Sequence, residues 1–216
     1  WKQRGDDIDG EAANDWSGRS VSLSADGTAL AVGAPYNDDA GSYAGHARVF
    51  AWDSAVGAWA QRGDDIDGEK KYDWSGYSVS LSADGTALAV GARYNDGAGD
   101  NAGHARVFAW DPVDKKWKQR GEDIDGEAAD DKSGYSVSLS ADGTALAVGA
   151  FWNDGAGSQA GSTRVYSTSA LAGGDADGGA AGEFGQGDGD LVAAGDDCPA
   201  LEGLAKDSPD CPEELD

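Results

Sequence analysis

Ser20-Val-Ser-Leu-Ser-Ala-Asp-Gly-Thr-Ala-Leu-Ala-Val-Gly-Ala34 recurs without a change at 78–92 and again at 136–150. In the middle copy, Tyr77 to Ser82 puts Val79 and Leu81 on one face and serines on the other, the period of a β-strand. Asp84-Gly85 then interrupts the alternation, as a two-residue type I′ hairpin turn would, because both central residues of that turn need positive φ. Thr86 to Ala92 returns with Leu88 and Val90 on one face and small residues on the other. One such hairpin cannot bury its own apolar face, so identical copies imply stacked units.

Working outward, Tyr94 to Asn101 is a polar loop, and His104 to Trp110 reads as a third strand. A turn at Asp111 to Lys115 leads to a fourth, Trp117 to Ile124. The run Trp-x-Gln-Arg-Gly-(Asp/Glu)-Asp-Ile-Asp-Gly-Glu starts at Trp1, Trp59 and Trp117, 58 residues apart. No stretch of the repeats carries a long helical stripe. The expected fold is therefore all-β, a propeller-like array of three four-stranded blades, as an open fragment or as part of a larger propeller. Its small-residue faces would let neighbouring sheets approach closely while Leu, Val, Phe and Trp fill the space between. The units run 1–58, 59–116 and 117–169, followed by an acidic tail at 170–216, rich in Gly, Ala and Asp, that is expected to be disordered. Within it, 201–205 could form a helical turn, and Cys198 and Cys211 could pair or remain thiols.

Three units are too few for an ordinary ring. Trp1 to Ile8 looks like an orphan fourth strand that could complete the last blade. Trp1 already lies inside a repeat, so an excerpt of a longer propeller is one expectation. A homodimer closing a six-bladed ring is another.

The motif Ser-Gly-x-Ser-Val … Leu-Ala-Val-Gly-Ala … Gly-His-Ala-Arg-Val-Phe resembles the FG-GAP repeat of integrin-α-like propellers over about 35 of every 58 residues. The first copy carries Gly33-Ala34-Pro35, while Ser17-Gly18, Ser75-Gly76 and Ser133-Gly134 replace the "FG". That family often holds calcium in its first hairpin. Here the hairpin is only Ser-Ala-Asp-Gly-Thr, so those ligands do not carry over. A weaker resemblance links Ala-Arg-Val-Phe-Ala-Trp-Asp to WD40-type blades. Both resemblances imply a propeller and a recognition scaffold.

Lys and Arg number 16 against 40 Asp and Glu, a formal charge of -24. Such a field repels phosphates, which argues against nucleic acid as a partner. No apolar run is long enough to cross a membrane as a helix, so no membrane insertion of this segment is expected.

Carboxylates concentrate after each fourth strand. The candidate calcium ligands are Asp7, Asp9, Glu11 and Asp15 in the first copy, Asp65, Asp67, Glu69 and Asp73 in the second, and Asp123, Asp125, Glu127 and Asp131 in the third. Oxygens at alternating positions could wrap a hard cation, or they could be a solvated loop that protects strand edges. Asn37-Asp38, Asn95-Asp96 and Asn153-Asp154 are candidate binding loops, or plain turn residues. Arg4-Gly5-Asp6 and Arg62-Gly63-Asp64 spell an integrin-recognition tripeptide at strand ends, where it would be poorly presented. His46 and His104 share a repeat position that Ser162 fills in the third copy. Without cysteine or a third histidine nearby, they read as hydrogen-bonding groups at strand entry.

Every candidate site is repeated, which suits multivalent binding better than catalysis. The expected function is a non-catalytic recognition or adhesion module of an extracellular or cell-surface protein, with a protein or glycan ligand and a possible structural calcium. An intracellular WD40-like scaffold and a propeller hydrolase are the alternatives.

Overall fold

A computed structural model describes residues 1–168, and they form three antiparallel sheets with no helix. The first sheet contains β1 (Ser20–Leu23), β2 (Ala29–Ala34), β3 (His46–Asp53), β4 (Ala58–Gln61) and the two-residue β5 (Ile66–Asp67). The second repeats it as β6 (Ser75–Leu81), β7 (Ala87–Ala92), β8 (His104–Asp111), β9 (Lys116–Gln119) and β10 (Ile124–Asp125). The third holds β11 (Ser133–Leu139), β12 (Ala145–Ala150) and β13 (Ser162–Ser167). Strands pair in chain order, as in propeller blades. The expectations for residues 170–216, Cys198 and Cys211 included, lie outside the described residues.

Each sheet has a large face and a small one. Val79, Leu81, Leu88, Val90 and Phe108 of the second sheet pack onto Ala29, Ala31, Ala47 and Val49 of the first. Leu146 and Val148 of the third pack in turn onto Ala89 and Ala105 of the second. Large side chains against alanines keep the sheets close, as the composition of the strand faces predicts. Polar bonds cross the same seams: the amides of Leu81 and Leu139 donate to Ser22 Oγ and Ser80 Oγ, both at 2.9 Å. Val21 and Leu23 of the first sheet, equivalent to Val79 and Leu81, are 62% and 58% exposed because no described sheet covers them.

Three local expectations are corrected. The Asp-Gly turn is not type I′, since only its glycines (Gly27, Gly85, Gly143) have positive φ. The aspartate instead accepts bonds from its neighbours: Ser82 Oγ donates to Asp84 Oδ1 at 2.7 Å, and so does Thr86 N at 3.0 Å. The fourth strand is not continuous. Between the pairs Phe108–Gln119 and Ala105–Ile124, β8 advances three residues while its partner advances five. This bulge contains Gly121 in the left-handed region, φ +80°. Finally, Trp1 to Ile8 forms no strand and completes no sheet. Its counterparts, β4 and β9, pair with a preceding third strand, and the first copy has none among the described residues.

The turn aspartates make acid stability testable. The side-chain bond from Ser24 and the bonds from Thr28 hold the Asp26 carboxyl down to about 2, and Ser140 and Thr144 do the same for Asp142. An unfolded aspartate takes up its proton near 3.8. The unfolded state therefore binds protons first as pH falls, and the stabilisation present above that value is lost toward pH 2. The expected result for the Asp26→Asn, Asp142→Asn double variant is a lower Tm at neutral pH and a flatter fall between pH 4 and 2. An unchanged slope would show that these carboxylates do not carry the acid transition.

Candidate functional site

The bulges after β4 and β9 turn the second and third acidic loops back over β3 and β8, and an arginine holds a carbonyl of every acidic loop. Arg48 Nη2 donates to the carbonyl of Asp9 at 2.7 Å, Arg106 Nη2 to that of Asp67 at 2.5 Å, and Arg164 to that of Asp125. The candidate ligands of one loop then part company. Asp7, Asp65 and Asp123 are positioned by Gln3, Gln61 and Gln119, whose amides donate to one carboxylate oxygen at 2.9, 2.6 and 2.7 Å. Asp15, Asp73 and Asp131 turn inward and are buried.

The second set of candidates meets the first there. Asn37, Asn95 and Asn153 donate through Nδ2 to Asp15, Asp73 and Asp131 at 3.1, 3.1 and 2.9 Å. The residues singled out as two separate loops thus form one buried latch in each unit. Burial raises the Asp73 carboxyl above its ordinary range, against the lowering effect of the Asn95 amide. Asp38, Asp96 and Asp154 close their own loops by accepting from the amides of Tyr43, Asn101 and Gln159.

At two places, carboxylates from successive acidic loops converge on a histidine. Among the described residues, two groups place carboxylate and imidazole ligand atoms within 4.8 Å of one another: Glu11, Asp39, His46 and Asp65, and Glu69, His104 and Asp123. His46 Nδ1 lies 3.7 Å from Glu11 Oε2 and 3.9 Å from Asp65 Oδ2. His104 Nδ1 lies 4.0 Å from Glu69 Oε2 and 3.6 Å from Asp123 Oδ2. These are too long for hydrogen bonds. Both imidazoles are 1% exposed, and neither ring nitrogen of His46 nor Nδ1 of His104 has a hydrogen-bond partner. Burial first, and the Arg106 guanidinium second, hold the His104 imidazole down to about 4, so it is neutral near pH 7. Burial also raises Asp67, Glu69 and Asp125 above the usual carboxylate range, with neighbouring Asp65 and Asp123 adding to it.

Beside the latches lies a surface that alternation-based reading misses. Trp16 stacks on Tyr36 at 4.1 Å, Tyr36 meets the edge of Trp74 at 4.4 Å, and Trp74 meets Tyr94 at 4.6 Å. Tyr77 continues to Tyr135 at 5.2 Å, and Tyr135 to Phe151 at 4.1 Å, so aromatic rings connect all three units. The Arg93 guanidinium sits among the rings of Tyr77, Tyr94 and Trp74 at 4.0, 4.5 and 4.7 Å. It makes no ion pair among the described residues, and neither does Arg19, 4.1 Å over Tyr77. Trp16, Trp74 and Lys132, at one repeat position, adopt left-handed backbone with φ of 57°, 56° and 58°. For a bulky residue that conformation costs free energy and clusters at working surfaces. The available signal was aromatics at fixed repeat positions outside the strands: 36, 94 and 152 all carry Tyr or Trp.

The tripeptide Arg62-Gly63-Asp64 is not presented as a loop tip. Arg62 lies 4.6 Å over Trp110, its carbonyl accepts from Trp117 Nε1 at 2.8 Å, and its guanidinium donates to the Gly85 carbonyl.

Among solved structures, the chain is similar to a periplasmic gluconolactonase of Pseudomonas aeruginosa at 19% identity and TM-score 0.40, covering 62% of this chain and 37% of that one. It is also similar to the hydrazine synthase of Kuenenia stuttgartiensis at 15% identity and TM-score 0.42, covering 69% and 44%. A putative 6-phosphogluconolactonase of Bacteroides uniformis gives 11% identity and TM-score 0.35, covering 70% and 53%. The chain spans less than two thirds of each of these proteins, and likeness at this level carries no argument about chemistry. No protein of curated function matches. The family model described as FG-GAP repeat matches residues 8–50, 65–108 and 124–166, one match in every unit. The chain belongs to the FG-GAP repeat family.

Proposed function

We propose that this chain is a non-catalytic recognition or adhesion module of an extracellular or cell-surface protein, and that its aromatic face takes the partner, a protein or a glycan. The observation that carries the reading is Arg93: a cation ringed by Trp74, Tyr77 and Tyr94, free of carboxylates, in a chain of formal charge -24. Flat rings stack on sugar faces or on apolar side chains, and an arginine between them selects a carboxylate or sulfate on the same ligand. Aromatic and arginine anchors are the residues that usually dominate recognition energy. The buried imidazoles face carboxylates rather than a hydroxyl nucleophile, which favours binding over hydrolysis.

The test is an array of neutral and uronic-acid oligosaccharides together with immobilised extracellular-matrix proteins, probed with the parent protein and with Trp74→Ala and Arg93→Ala. Binding that falls roughly tenfold or more in both variants is the expected result. Binding that neither variant weakens, or turnover of any lactone, ester or glycoside in a parallel panel, would overturn the proposal.

A structural cation and a second copy belong to this reading. The carboxylates by themselves suit calcium, and the imidazole within each of the two groups is what changes the choice of ion. A homodimer would pack further sheets against the exposed Val21 and Leu23 at one end of the array and Val165 at the other.

A further inference from the structure

We infer that His46 with Glu11 and Asp65, and His104 with Glu69 and Asp123, are two divalent transition-metal sites of the zinc class, built between successive units. Carboxylate clusters are common without an ion, but each of these surrounds an imidazole that is 1% exposed and whose Nδ1 has no hydrogen-bond partner. The carboxylates are also aimed. Glu11 and Glu69 turn Oε1 toward Arg48 and Arg106 at 3.5 and 3.6 Å, which leaves Oε2 facing the imidazole. Asp65 and Asp123 give Oδ1 to Gln61 and Gln119, which leaves Oδ2 facing it. The same division of labour occurs in both units, 58 residues apart.

Zinc bonds of about 2.1 Å place tetrahedral ligands roughly 3.4 Å apart. The 3.6 to 4.0 Å separations between Nδ1 and the carboxylate oxygens need to close by only a few tenths of an ångström. One imidazole nitrogen and two carboxylates leave a fourth position for water, or for Asp39 at the first site. A nitrogen donor and a low ligand count suit zinc and its neighbours rather than calcium, which takes six to eight oxygens. In the third unit Ser162 replaces the histidine, so no third site is formed there. An ion bridging two loops of adjacent copies would fix the stacking of units. This inference does not rest on the ligand-binding reading, and the two can fail separately.

The experiment is equilibrium dialysis of the full chain against zinc, calcium and magnesium, with Cys198→Ser and Cys211→Ser in every sample so that tail thiols do not compete. The expected result is two zinc ions per chain at micromolar concentration, with neither calcium nor magnesium retained. His46→Ser and His104→Ser, which copy the residue the third unit already uses, should each remove one ion. Glu69→Gln alters a partly exposed carboxylate and should weaken one site tenfold or more with the fold intact. Calcium bound in equal amount, zinc retained by the double histidine variant, or no zinc bound by the folded parent would each overturn the proposal.

Discussion

Gly91→Ala is expected to lower stability by about 3 kcal/mol or more, while the same substitution at Gly149 changes it by less than about 1 kcal/mol. Both glycines sit in identical Leu-Ala-Val-Gly-Ala strands. A Cβ on Gly91 would lie 2.1 Å from the carbonyl oxygen of Gly134 in the next sheet and 2.3 Å from Ser78 Oγ. That carbonyl cannot retreat cheaply, because Ser78 Oγ donates to it at 2.8 Å and it belongs to the bulge that opens β11. Gly33 meets Gly76 in the same way, at 2.0 Å. At Gly149 the nearest atom is the Ser136 hydroxyl at 2.4 Å, which can rotate, and the next contact is at 3.8 Å. Without a clash, alanine in a strand interior is no worse than glycine. Urea unfolding of the two variants reads the difference. Equal losses at Gly91 and Gly149 would mean that the close approach of sheets does not govern stability.

Asn95→Ala is expected to cost about 3 kcal/mol, although Asn95 was legible in sequence only as a loop residue. It is 1% exposed, gives Nδ2 to Asp73 at 3.1 Å, and accepts the Gly97 amide at 2.7 Å. Removing it leaves the buried Asp73 oxygen with only the Lys70 amide, at 3.0 Å, and leaves the Gly97 amide without its acceptor. The damage should reach the aromatic face, since Asp73 precedes Trp74 and Asn95 follows Tyr94, and Tyr94 N donates to the Asp73 carbonyl at 3.2 Å. Asn95→Asp should be worse near neutral pH, where two buried carboxylates would face each other. Repulsion raises their folded pKa above the unfolded value, so the penalty should shrink as pH falls and the pair takes up a proton. Melting curves at pH 7 and pH 5 test this. A penalty that does not change with pH would remove the charge argument.

The first three strands of each unit, their hairpin order and the division into large and small faces were readable, because residue alternation and turn residues act locally and the 15-residue hairpin recurs unchanged in three copies. The split of the fourth strand was not. Its only signal was Arg-Gly inside a run that otherwise reads as continuous, and a bulge is decided by how both partners pair. The acidic loops were visible as charge, but their roles were not: Asp15 and Glu11 stand four residues apart, yet one is buried under Asn37 and the other faces His46. By itself the sequence determined an all-β repeat, its FG-GAP character and the residue types available to a site. Only the tertiary structure decided which copies' side chains meet, because Glu11, His46 and Asp65 are brought together by sheet pairing and the bulge. Such contacts depend on chain path and burial across units, which no local periodicity encodes.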